Sequence, residues 1–94
     1  MDLEFEWDPD KAAANARKHG VDFDEAGTAF ADPLSVTVPD PRHSVSEPRF
    51  VVFGRSNRGR VLAVMHTERG QAIRIISARL ATPRERREYA EESE

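Results

Sequence analysis

Ninety-four residues with 38% hydrophobic and 33% charged side chains suffice for one compact domain over residues 1–94 and exclude a second core. The absence of cysteine excludes disulfides, a thiol nucleophile and thiolate metal ligation, and no apolar run is long enough to span a bilayer. The net charge of −3 argues against a nucleic-acid partner only on average, because residues 1–41 carry −7, residues 42–87 carry +8 and the tail carries −4.

In chain order, Leu3-Glu4-Phe5-Glu6-Trp7 alternates apolar and acidic residues and predicts a half-buried strand with Leu3, Phe5 and Trp7 inward. Asp8-Pro9 supplies an N-cap and a first-turn proline for a helix that Gly20 ends, with Lys18 and His19 at the negative end of its dipole. Asp22 caps a second, short helix whose apolar stripe is Phe23, Ala26, Ala29 and Phe30, and Asp32-Pro33 closes it. Leu34 to Val38 alternates as a strand. Residues 39–48 hold three prolines and predict a long polar loop of the kind that carries function. Strands follow at Phe50–Phe53, Val61–Met65 and Ile73–Arg79, joined by turns at Asn57-Arg58-Gly59 and Arg69-Gly70. Thr82-Pro83-Arg84-Glu85 forms a capping box for a charged C-terminal helix holding Arg86, Arg87 and Tyr89. The order is β-α-α-β-β-β-β-α, an α+β sandwich of two layers with a mostly antiparallel sheet and helices on one face.

All eleven basic residues of the 42–87 segment are arginine. Arginine grips phosphate with a planar fork, whereas lysine acts as a point charge. A solvated arginine-rich face, set by codon usage, is the competing reading of the same composition. The acidic start, Met1-Asp2-Leu3-Glu4, is unlike a secretory leader, so a soluble cytoplasmic protein is the expectation.

The run Phe5-Glu6-Trp7-Asp8-Pro9 with Lys11 and Asn15, then Lys18-His19-Gly20-Val21, resembles the opening of BrnT-type toxins. The resemblance continues through Glu25-Ala26, Asp32-Pro33, His43-Ser44, Arg49, Gly54, Gly59-Arg60 and Thr67-Glu68-Arg69. It is most specific at Arg74-Ile75-Ile76-Ser77-Ala78-Arg79-Leu80-Ala81-Thr82, and Glu85-Arg86 and Tyr89 complete it. It implies a RelE-like fold, an endoribonuclease that arrests translation, and neutralisation by a BrnA-type antitoxin, with operator DNA reached only through that partner.

RNA carries its own nucleophile, so a metal-independent ribonuclease needs a base for the 2′-hydroxyl, cations on the phosphate and a donor for the leaving oxygen. No cofactor and no metal site is expected. Arg74 and Arg79 are the candidates for the phosphate, with an ion pair to Glu68 or Glu85 as the alternative for either. Five positions apart, they fall on opposite strand faces unless the strand twists, bulges or ends, and the preferred solution places Arg79 past the last paired residue. His43 titrates near neutrality in a polar loop, as a proton carrier or a solvated histidine. Lys18 is a candidate at the helix end, Tyr89 for base stacking, proton relay or helix packing, and Arg60, Arg69 and Arg86 for RNA binding. His19 suits a helix-end cation, His66 a buried and hydrogen-bonded position on the Leu62 and Val64 face ahead of an active-site role, and Trp7 the core ahead of a base platform. Two further readings stand beside the enzyme: a non-catalytic RNA- or partner-binding module acting as co-repressor, and an inactive toxin kept for that structural role.

Overall fold

The computed structural model describes residues 3–43 and 46–92, with His43 described by its backbone alone. Local chemistry sets the helix ends. Asp8 Oδ1 accepts the backbone N–H groups of Asp10 (2.8 Å) and Lys11 (3.3 Å) and starts α1, Pro9–His19. Gly20 ends it at φ 69°, a left-handed geometry that glycine adopts without strain. Asp22 Oδ1 accepts the Glu25 N–H at 2.7 Å and starts α2, Phe23–Thr28, which runs on into a 3-10 turn at Ala29–Ala31. Thr82 and Glu85 form the reciprocal cap of α3, Pro83–Glu92: the Glu85 N–H donates to Thr82 Oγ1 (3.1 Å) and the Thr82 N–H to Glu85 Oε1 (2.9 Å).

Five strands, β1 (Glu4–Glu6), β2 (Val36–Pro39), β3 (Phe50–Arg55), β4 (Val61–Arg69) and β5 (Ala72–Leu80), form one sheet in the order β1-β5-β4-β3-β2. β2 to β5 are antiparallel neighbours, while β1 pairs in parallel with β5. A parallel pair needs a crossover, here the α1–α2 segment and the three strands after it. The element order and mostly antiparallel sheet are those the sequence predicts. β1 is shorter than predicted and leaves Leu3 52% exposed, whereas β4 and β5 are longer.

α1 and α2 cover one face of the sheet. Val21, Phe23, Ala26 and Ala29 pack on Val52, Leu62, Val64, Ile75 and Ala78, all buried, with Phe5, Trp7 and Phe30 at the rim. Each large side chain fully buried there contributes about 1.5–3 kcal/mol. His66 is buried on this face as expected, its Nδ1 donating to the Val64 carbonyl (3.1 Å) and its ring against Phe30 and Phe50. Burial pushes its pKa down, against the Val64 bond. Gly54 lies so close under the Ala29 carbonyl that no side chain fits. α3 departs from the one-sided arrangement: Tyr89 packs with Val61, Ala81 and Phe53, which places α3 over one end of the opposite face.

β1 stops at Glu6, opposite Arg74, so it leaves the rest of the outer edge of β5 without a strand neighbour. Buried Asn15 fills part of that edge. Its Nδ2 donates to the carbonyls of Ala78 (2.8 Å) and Val21 (2.9 Å), and its Oδ1 accepts the Ala78 N–H (3.1 Å). One side-chain amide thus ties α1 to the sheet and satisfies backbone groups that burial would otherwise make costly.

Candidate active site on the open face of the sheet

The open face is decided by one irregularity in β5. Cross-strand partners share a face, and the register pairs Thr67 with Arg74, His66 with Ile75, Met65 with Ser77 and Ala63 with Arg79. Ile76 is the extra residue, a bulge opposite the Met65–His66 step. It cancels the odd spacing, so Arg74, Ser77 and Arg79 all lie on the face away from α1 and α2, while Ile75 and Ala78 both enter the core. The expectation that Arg79 sits beyond the ladder is corrected here: Arg79 is paired with Ala63 inside β5, and the bulge unites the two arginines.

On that face a cleft of about 410 Å³ is lined by Arg42, Arg49 and Arg79, by Ser77, Ile76, Met65, Val51 and Phe53, and by Asp40 and Glu85. Three guanidinium groups meet two carboxylates there. Glu85 Oε1 and Oε2 accept Arg79 Nη1 (2.7 Å) and Nη2 (3.0 Å) in a two-pronged pair. The Arg79 hydrogen bonds, with capping-box bonds from Thr82 assisting, hold the Glu85 carboxyl below the usual range against burial. Arg79 Nη1 also donates to the Leu80 carbonyl at 3.3 Å. The Nε and remaining Nη2 N–H groups make a second edge of the fork, with the geometry that fits two phosphate oxygens. Of the two partners the sequence offers for an ion pair, Arg79 takes Glu85. Arg74 takes neither and stands 4.0 Å from Glu6, its side chain 29% exposed.

The +8 segment is not one continuous patch. Arg60 is bound to Glu25, whose side chain is 3% exposed: its Nε donates at 2.9 Å, its Nη2 makes a second bond to the same carboxylate, and Ser56 Oγ adds a third at 2.7 Å. Arg60 also reaches the Gly20 carbonyl, so it clamps the β3–β4 turn to the helical side rather than entering the cleft. Tyr89 is buried, and its hydroxyl donates to Asp32 Oδ2 at 2.5 Å. Burial and then the Asp32 carboxylate push that hydroxyl's pKa up, and the bond to Asp32 anchors α3 to the sheet. Arg69 shares the open face and lies 3.6 Å from Glu47. Arg86 is exposed on α3 and donates to the Ala81 carbonyl. Lys18 is exposed in the last turn of α1, on the other side of the sheet. The side chain of His43 lies outside the described residues, but its backbone closes the 3-10 turn Pro41–His43 next to Arg42 of the cleft.

Sequence reasoning misses Arg42 and Arg49 as cleft residues, although it marks the loop holding Arg42 as functional. Their signal is weak, since neither lies in a periodic run. Among the described residues no group of three or more His, Asp or Glu side chains is placed to hold a metal ion, and no helix is long and apolar enough to cross a membrane.

Residues 7–85 match the family described as "Ribonuclease toxin, BrnT, of type II toxin-antitoxin system". Among solved structures, the chain is similar to the 1.1 Å crystal structure of the Brucella abortus ribonuclease toxin BrnT, with 25% identity and a TM-score of 0.67, over 86% of this chain and 99% of that one. No curated protein matches the chain. The five-stranded sheet, its arginine-lined open face and a match that runs from Trp7 to Glu85 agree, and the chain belongs to the BrnT family of ribonuclease toxins of type II toxin–antitoxin systems.

Proposed function

We propose that the chain is a metal-independent endoribonuclease of the cytoplasm that cuts RNA by attack of a 2′-hydroxyl on the adjacent phosphate and so arrests translation. A BrnA-type antitoxin silences it and supplies any contact with operator DNA. The observation that carries this reading is the Ile76 bulge, which sets Arg74, Ser77 and Arg79 on one face beside Arg42 and Arg49.

Attack by the 2′-oxygen concentrates charge on the non-bridging phosphate oxygens, and fixed donors aimed at that charge lower the barrier. Arg79 is fixed by Glu85, so its second edge meets the phosphate without a rotamer search. Arg74 and the cleft arginines Arg42 and Arg49 hold the strand on either side. His43 exchanges the proton, and Arg69 and Arg86 extend the track for flanking phosphates, while Lys18, on the helical side of the sheet, lies off that track. Tyr89 and Arg60 support the site from the Asp32 and Glu25 contacts.

The test is cleavage of a labelled RNA oligonucleotide in EDTA. The expected product carries a 2′,3′-cyclic phosphate, and a 2′-deoxy substitution at the cut site abolishes it. Arg79→Ala and Arg74→Ala each lower kcat/KM by about 10²–10³. Cleavage that requires a metal, survives the 2′-deoxy substitution or persists at full rate in both variants overturns the mechanism. RNA binding by the intact chain without cleavage marks a binding module instead.

A further inference from the structure

A second groove lies on the same face, at the α3 end. Val36, Val38 and Phe53 form its floor, Tyr89 its inner wall, and Glu85, Glu88, Glu91 and Glu92 its charged side, around about 320 Å³. Every charged residue lining it is a glutamate. Val38 remains 39% exposed, and β2 is the outermost strand of the sheet, so apolar surface and strand edge open together. Phosphate-bearing ligands are repelled by these carboxylates, and a purely apolar partner would leave them unmatched. The surface fits a segment with an apolar stripe flanked by cations.

We propose that this groove docks a basic amphipathic segment of the protein antitoxin. The proposal rests on the family's two-protein system, not on the cleavage chemistry assigned to the arginine cleft. The exposed Arg84–Glu88 pair, 3.3 Å apart, is the kind of contact a partner's cation replaces at little cost. The two grooves on this face therefore divide by sign, with RNA directed to the arginines and the partner's cations to α3.

The probe is a fluorescent peptide with leucine along one helical stripe and arginine and lysine on the other, measured against the full chain by anisotropy and by amide chemical shifts. A peptide of the same composition in scrambled order is the control. The expected result is binding with shifts at Val36, Val38 and α3, at least about tenfold weaker for the scrambled peptide. A triple variant, Glu88→Arg with Glu91→Arg and Glu92→Arg, weakens binding by about tenfold or more, and Val38→Ser by about threefold. No binding to the parent chain, equal binding of the scrambled peptide, equal binding to the charge-reversed variant, or shifts centred on Arg74 and Arg79 each overturn the proposal. RNA cleavage is read on the same samples. A chain that cuts RNA but ignores the peptide loses this inference alone, and one that binds the peptide but does not cut loses the cleavage reading alone.

Discussion

Replacing Asn15 by aspartate keeps the shape of the side chain and exchanges one amide group for an oxygen. That position faces the carbonyls of Ala78 and Val21 at 2.8 and 2.9 Å, so an ionised aspartate there would set a carboxylate oxygen against two acceptors in a buried site. The site admits the new side chain only as the neutral acid, which can donate to one carbonyl and leaves the other unmatched. Holding a carboxyl of unfolded pKa about 3.9 neutral near pH 7 costs about 4 kcal/mol, and the orphaned acceptor adds about 1. Asn15→Asp therefore destabilises the fold by about 5 kcal/mol at neutral pH, comparable with the whole stability of a small domain. The folded pKa is raised, so the contribution is intact below the unfolded pKa and is lost as pH rises. Near pH 4.5 the cost of neutralisation falls to about 1 kcal/mol, leaving a difference of about 2 from the parent chain. Urea unfolding followed through Trp7, the single tryptophan, which packs edge-on against Phe23, reads both chains at both pH values. A variant as stable as the parent near pH 7, or one whose deficit grows on acidification, refutes the assigned role of the Asn15 amide.

Other outcomes follow from the same contacts. Gly54→Ala drives a methyl group into the Ala29 carbonyl and lowers stability by about 3 kcal/mol, whereas Gly27→Ala, whose new methyl meets the Phe5 ring at 3.4 Å, is neutral or stabilising by up to about 1 kcal/mol. Thermal melts of the two variants separate them. The hydrogen bonds from Arg60, reinforced by Ser56, hold the Glu25 carboxyl below its usual range despite burial. Its contribution is complete above the unfolded value of about 4.3 and is lost as pH falls through the lower folded value. Glu25→Gln costs about 2–3 kcal/mol at neutral pH and flattens the acid limb of a stability-against-pH curve. Tyr89→Phe removes the hydroxyl bond to Asp32, lowers the melting temperature by the equivalent of about 1–2 kcal/mol and leaves RNA cleavage within about twofold of the parent, as an enzyme assay beside the melt shows.

What was legible in the sequence is what local chemistry decides. Asp8, Gly20, Asp22 and the Thr82–Glu85 pair each act within a few residues of themselves, and each helix end stands where they place it. The face of the two key arginines was not legible. Alternation alone puts Arg74 and Arg79 on opposite sides, and nothing in Ile75-Ile76 announces which of two similar residues is left unpaired. Arg60 shows the second limit. It belongs to a basic run by position, but its partner Glu25 lies 35 residues away, and only the fold brings them together. The parallel pairing of β1 with β5 is non-local in the same sense, since hairpin turns advertise neighbours and a crossover does not.

Glu85 closes the first turn of α3, grips the Arg79 fork and faces both grooves of the open sheet. Its separate duties run through a single carboxylate, so melting that turn slackens the guanidinium in the same event. Amide exchange at the start of the C-terminal helix therefore acts as a clock for how long the Arg79 fork stays fixed, and the two share one opening rate.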